Sequence, residues 1–273
     1  MSNIVIRSLA GAVFVALIIG AILWHPLAVF LLFFIFNIIG LYEYSRMFIK
    51  SGYSIQAISI IFMGSMVYLV IGLFANDYLE AKYLLGFVPL VFLFFIASLY
   101  KVSKKPFENL GIKLLALLYI SIPFGLFNVV ENMSFEASNA SGAMLLIAFF
   151  VIVWSSDTFA YLFGVSFGKH RLFERISPKK SWEGSIGGSL TTLIIAWAFG
   201  FYTHIFTPFT WVALAVVVVV TAIYGDLIES QLKRSMHVKD SGNIMPGHGG
   251  VLDRFDAAIF SVPFYVFLLY LLS

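Results

Sequence analysis

Two pairs of carboxylates stand at i, i+3 spacing toward the C-terminal end of this chain: Asp226 with Glu229, and Asp253 with Asp256. On a helix that spacing puts both members of a pair on one face. Cations lie close by: Lys233 and Arg234 follow the first pair, Arg254 sits inside the second, and Lys239 falls between them. A hard cation such as Mg²⁺ takes oxygen ligands, commonly one or two carboxylates together with water and substrate phosphates. Carboxylate pairs among basic groups therefore suit a metal held together with phosphate. Ser230 and His237 extend the face that Asp226, Glu229, Lys233 and Arg234 define. A plainer arrangement is open to the same residues. Glu229 could pair with Lys233 at a salt-bridged helix end, and Asp253 and Asp256 could form a network with Arg254 and Lys239.

Between the pairs the chain reads Lys239-Asp240-Ser241-Gly242 and then Pro246-Gly247-His248-Gly249-Gly250. Glycines let backbone N–H groups approach an anion closely, and His248 among them is an accessible donor to phosphate. A turn that only redirects the chain would use the same glycines. Upstream, Ser177-Pro178-Lys179-Lys180-Ser181-Trp182-Glu183-Gly184 sets two adjacent lysines beside hydroxyls, a contact for a phosphate or lipid headgroup. Lysines there equally serve to fix membrane topology. Asp157 and Tyr161, at i, i+4, lie inside an apolar stretch, where an ionisable group is a functional candidate. The quieter alternative pairs Asp157 with a lysine at 179 or 180. Gly164, Gly168, Gly184 and Gly188 have the small-xxx-small spacing of closely packed helices and are assigned to structure.

These side chains need membrane helices to position them. The chain has 273 residues, 61% hydrophobic and 11% charged, with mean hydropathy +0.97, whereas a soluble domain is about 25% charged. It has no cysteine, which excludes disulfides, thiol catalysis and cysteine-based zinc sites. At about 20 apolar residues per membrane helix, spans are expected near 5–24, 26–42, 54–75, 83–100, 112–130, 143–164, 186–206, 211–230 and 256–273. The expected fold is all-α, a polytopic membrane helix bundle of about nine transmembrane helices. Residues 1–140 read as scaffold and 141–273 as the catalytic membrane region. The first span lacks a small-residue cleavage site and is read as retained.

With nine alternating spans, sixteen of the seventeen Lys and Arg residues fall on one side and only Lys82 on the other. The positive-inside rule then places the N-terminus in the cytoplasm and the C-terminus outside, with the charged segment facing the cytoplasm. No organellar extension precedes the first span, so a bacterial inner membrane is expected. Nine charged side chains lie between Gly225 and Asp256. Facing lipid at roughly 2.5–3.5 kcal/mol each they would cost about 25 kcal/mol, so they line water, hold ions or pair with one another. From Trp211 to Tyr224 the apolar stretch is about 21 Å of helix, short of the roughly 30 Å hydrocarbon core. That helix must continue through Asp226, Glu229 and Ser230. Asp253 and Asp256 head the last span, and Asp157 lies in the inner half of the sixth. Three spans thus bring carboxylates to a similar depth.

The run S-x-x-K-R-x-x-x-x-K-D from Ser230 to Asp240, followed by P-G-H-G-G-x-x-D-R-x-D from Pro246 to Asp256, resembles the signature of the phosphatidate cytidylyltransferase (CDP-diacylglycerol synthase) family. The SPKKSWEG segment and the stretch from Asp157 to Tyr161 are also similar to that family, so the resemblance covers residues 150–256. His237 stands where a glycine is expected, and Met245 where a smaller aliphatic is usual. The resemblance implies transfer of a cytidylyl group from CTP to phosphatidic acid with Mg²⁺, the presence of a second cation being open. On that basis Asp226, Asp253, Asp256 and Glu229 are the expected metal ligands. Lys233, Arg234, Lys239, Asp240 and His248, with Ser230, are the expected catalytic groups. Lys179, Lys180, Ser177, Asp157, Tyr161, Gly249, Gly250 and Arg254 are the expected substrate contacts. The implied partners are CTP, phosphatidic acid and the bilayer, with no nucleic acid, and a homodimer as the assembled state.

Two other readings compete. A CDP-alcohol phosphotransferase is expected to open its motif D-G-x-x-A-R, which is absent here. An ion-coupled transporter would use the carboxylates as a cation site and place polar groups on the outer halves of its spans, where this chain has almost none.

Overall fold

The computed structural model describes residues 3–100, 102–135, 140–203, 205–242 and 249–272. The helices are α1 (Asn3–Trp24), α2 (Pro26–Lys50), α3 (Ala57–Ala75), α4 (Phe87–Leu99, preceded by a 3-10 turn at Ala81–Gly86), α5 (Pro106–Ala116) and α6 (Ile122–Glu131). They continue with α7 (Gly142–Phe167), α8 (Trp182–Thr203), α9 (Pro208–Ser235) and α10 (Leu252–Leu272). Two small antiparallel ribbons are inserted: β1 (Ser134–Phe135) with β2 (Ala140–Ser141), and β3 (Arg171–Phe173) with β4 (Ser177–Ser181).

Helices α5 and α6 form one span through a π turn at Leu117–Ser121. Pro123 has no N–H to donate to Tyr119 and its ring would crowd that carbonyl. The wider turn relieves this, and the Ile122 N–H bonds to Leu117 O. Among the described residues eight helical segments are long and apolar enough to cross a membrane, and α1 adds the shorter apolar stretch Leu9–Trp24. The expected all-α polytopic bundle is the observed one, and each expected span coincides with a helix. The ends differ where charge misleads. Helix α2 runs on to Lys50, and α9 extends over 28 residues to Ser235, about 42 Å at helical rise. The β3–β4 ribbon occupies a segment that reads as loop.

The chain divides into two compact units. The first comprises Met1–Asn132 and Met236–Arg254, the second Met133–Ser235 and Phe255–Ser273. In the first, the Phe33 ring stacks on Phe127 at 4.6 Å between centroids. Several of its buried side chains are tied by hydrogen bonds, which count for most where water is excluded. Tyr44 Oη donates to Ile112 O at 3.0 Å, Tyr68 Oη to Phe30 O at 2.7 Å, and Asn128 Nδ2 to Tyr68 Oη at 2.9 Å.

The second unit packs α7, α8, α9 and most of α10 through small residues. A Cβ on Gly188 would lie 2.6 Å from Ala160 N, and one on Gly184 would lie 3.0 Å from Gly164 Cα. These glycines therefore bring α7 and α8 together, the structural role their spacing suggests. At Gly225 a Cβ would lie 2.7 Å from Asp256 O, so α9 and α10 also cross with backbones in near contact.

Candidate active site

The α9–α10 crossing decides which carboxylates meet. Gly225 lies against the α10 backbone at Asp256, and the next residue on α9 is Asp226. Asp226, Glu229 and Asp157 all stand near enough to Asp256 to act on its charge. Acidic side chains from α7 and α9 thus stand around Asp256 of α10 in the second unit. Lys180 Nζ lies 2.5 Å from Asp226 Oδ2, and Ser230 Oγ donates to Asp226 Oδ1 at 3.2 Å. Lys180 therefore neutralises Asp226. Glu229 is fully buried and pairs with Lys233 one turn on, the plain i, i+4 bridge its spacing allows. Arg234, on the last turn of α9, is exposed.

The lysines reach this cluster because β3 and β4 fold back from the end of α7. Glu183 at the start of α8 anchors the base of the ribbon. Its carboxylate accepts the N–H groups of Lys169 at 3.1 Å and His170 at 3.2 Å, and lies 2.6 Å from His170 Nδ1. The Trp182 N–H donates to His170 O at 2.9 Å, and Ser181 Oγ accepts the Gly184 N–H at 3.2 Å. Lys179 and Lys180 consequently ride on a strand, with Ser177 paired to Phe173 at its far end. A cavity of about 680 Å³ opens here, and Asp157, Tyr161, Arg171, Lys179, Lys180 and Asp226 are among its walls. Ser185 and Ile223 also line it, and the same two residues line a neighbouring groove of about 300 Å³. That groove is apolar, formed by Leu172, Phe173, Trp182, Leu190, Val220 and Tyr224 among others. Arg171 escapes a sequence reading because only the ribbon turns it toward Lys179 and Lys180.

The remaining candidates belong to the first unit. Asp253 Oδ2 accepts the Ser241 N–H at 2.9 Å, the Ser241 hydroxyl at 2.9 Å and the Gly250 N–H at 2.7 Å. Glu43, from α2, completes the arrangement. Its Oε1 accepts the Val251 N–H at 3.0 Å, while Oε2 accepts the Leu252 N–H at 3.0 Å and Ser241 Oγ at 3.2 Å. Gly249 has φ +83° in the left-handed region, and a Cβ there would meet Asp253 Oδ2 at 2.5 Å. At Gly242 and Gly250 the Glu43 carboxylate occupies the space a Cβ would need. The close approach these glycines permit is thus onto carboxylates. Lys239, Asp240 and Arg254 are exposed. His248, with Met245, Pro246 and Gly247, lies outside the described residues. Glu43 was missed because it falls just past the apolar run of the second span, where it reads as a loop charge.

A sequence model of the cytidylyltransferase family matches residues 5–272. The chain belongs to that family. A phosphatidate cytidylyltransferase of Bacillus subtilis (strain 168) is 39% identical over 170 residues, 61% of this chain and 61% of that protein. One from Staphylococcus haemolyticus is 35% identical over 191 residues, 69% of this chain and 70% of the relative. One from Staphylococcus epidermidis is 30% identical over 260 residues, 94% of this chain and 96% of the relative. The match to the Bacillus subtilis protein thus spans less than two thirds of that relative's length.

For this cytidylyltransferase-family chain, the departure at His237 gains a physical reason. His237 has φ +56°, the left-handed conformation that ends helices and favours glycine. Helix α9 accordingly stops at Ser235, and His237 does not continue the Asp226 face. Among the described residues no three His, Asp or Glu side chains are gathered tightly enough to hold a metal ion between them. Carboxylate oxygens are the ligand type that hard divalent cations use.

Proposed function

We propose that this chain transfers the cytidylyl group of CTP to phosphatidic acid, giving CDP-diacylglycerol and pyrophosphate at the cytoplasmic face of a bacterial inner membrane. The observation that carries the reading is the cavity lined by Arg171, Lys179 and Lys180 together with Asp157 and Asp226, with an apolar groove sharing its wall. Such a site fits an amphiphile with an anionic head and a hydrocarbon tail. The family match and the shared name of the relatives support the same substrate class.

In the reaction a phosphatidate oxygen bonds to the α-phosphorus of CTP. The bond from that phosphorus to the bridging oxygen breaks, and pyrophosphate leaves with its electron pair. A phosphate monoester has its second pKa at about 6, so the nucleophile is largely deprotonated already and a general base is not required. The protein's work is positioning and charge neutralisation. Arg171, Lys179 and Lys180 hold the lipid phosphate, while Lys233, Arg234 and Ser230 on α9 face the nucleotide's phosphates. Asp226 and Asp256, backed by Glu229 and Asp157, would hold Mg²⁺, which when bound supplies charge neutralisation to the phosphates. Without ligands Lys180 and Asp226 neutralise each other. With substrate bound, Lys180 would turn to the lipid phosphate, and Asp226 would then be available to hold Mg²⁺. Lys239, Asp253 and His248 enter this reading through the family resemblance alone, as does a homodimer.

The test uses purified protein in detergent, CTP labelled at the α-phosphate and phosphatidic acid, with and without Mg²⁺. Label should enter the lipid phase only when all three are present. Failure to label phosphatidic acid, or consumption of a CDP-lipid in place of CTP, overturns the proposal.

A further inference from the structure

The connection between α9 and α10 ends in Gly249-Gly250-Val251-Leu252, and a helix starting there faces a problem. Its first N–H groups have no partner within the helix. Ser, Thr, Asp or Asn would ordinarily cap them, but α10 begins at Leu252 directly after Val251, whose side chain has nothing to offer. Two carboxylates take over. Asp253 accepts the Gly250 N–H, and Glu43 accepts those of Val251 and Leu252. Ser241 Oγ lies within hydrogen-bonding distance of both, at 3.2 Å from Glu43 Oε2 and 2.9 Å from Asp253 Oδ2. Glu43 is 2% exposed. A polar group so deeply buried is retained only where its partners satisfy it, and the Val251 and Leu252 N–H groups do so here.

We infer that Glu43 is a positioning residue for the reaction: it caps α10 from a distant helix and fixes Ser241, and with it the orientation of the Asp253 carboxylate. Gly242 and Gly250 belong to the same device, since any side chain there would displace the Glu43 carboxylate. The inference rests on the proposed cytidylyl transfer for its catalytic consequence, but not for its structural one.

Glu43→Gln is the discriminating variant. It keeps the shape of the side chain but exchanges one accepting oxygen for an NH₂ group, which would then face a backbone N–H. Amide hydrogen exchange of the peptide spanning residues 249–256 should speed up relative to wild type, with peptides from α7 and α8 unchanged. In the transfer assay the Mg²⁺ concentration for half-maximal activity should rise about tenfold or more, the usual effect of losing a partner that orients a metal-binding carboxylate. KM for phosphatidic acid should stay constant. Ser241→Ala combined with Glu43→Gln should cost less than the two single effects multiplied, because both act on one arrangement. A wild-type protein without transfer activity ends the function proposal and leaves the exchange measurement to decide whether Glu43 holds α10. An active wild type whose Glu43→Gln variant keeps its Mg²⁺ dependence and its exchange pattern overturns this inference. Loss of activity with faster exchange throughout the chain overturns it too, since that is a folding defect.

Discussion

Asp226 carries the clearest consequence of any single residue. It contacts Lys180 and Ser230 and stands beside Asp256 at the α9–α10 crossing. Asp226→Asn keeps the shape and removes the charge, so turnover should fall on the order of a hundredfold or more while the protein still inserts and purifies normally. The same holds for Asp256→Asn, and near-normal turnover in both would remove these residues from the site. His237 offers a contrary case, in which a change should help. A non-glycine residue in the left-handed region costs roughly 1–2 kcal/mol, so His237→Gly should raise thermal stability by about 1 kcal/mol with transfer activity unchanged. An unaltered melting temperature would show that the histidine makes up the strain with contacts of its own. Asp226, Glu229 and Ser230 could be placed on one face from the sequence because helical spacing fixes which side chains share it. Glu43 was not legible, because nothing local ties a carboxylate on α2 to backbone groups at the start of α10.

Hydrophobic length, the strongest signal in the sequence, located every helix to within a few residues at most ends. It failed where a helix outlasts its apolar run. Glu43, Arg46 and Lys50 on α2 read as loop, yet helical hydrogen bonding continues through them. It also gave no sign of the β3–β4 ribbon, whose pairing is too short to show a strand period. The ribbon matters because it carries Arg171, Lys179 and Lys180 to the cavity and lends Leu172 and Phe173 to the apolar groove. Helices α8 and α9 form the rest of that groove, with Leu190 among its walls. If an acyl chain lies there, Leu190→Trp fills the space. KM for long-chain phosphatidic acid should rise several-fold, about 1 kcal/mol of lost apolar contact, and KM for CTP should not move. A short-chain phosphatidic acid should discriminate less between wild type and variant. Equal KM values for the long-chain substrate would place the acyl chains elsewhere.

For the whole molecule, the distribution of charge makes one demand on the membrane. Nine alternating spans are expected to put sixteen of the seventeen cations on one side of the membrane. CTP is a cytoplasmic solute, so the proposed transfer requires the cavity to open to the side where those cations are expected. Orientation and function are therefore linked through the same residues. The absence of cysteine makes the link easy to examine, because an introduced thiol has no background. Tyr78, between α3 and the 3-10 turn, is 76% exposed and lies on the side expected to face out. Glu174, in the turn joining β3 to β4, is exposed on the side expected to face in. In intact cells a membrane-impermeant maleimide should label Tyr78→Cys and spare Glu174→Cys, and Glu174→Cys should react once the membrane is opened. The reverse pattern would put the cavity on the face without CTP. Arg171, Lys179 and Lys180 would then need another anion to bind, and the case for cytidylyl transfer at this cavity would fall with the topology.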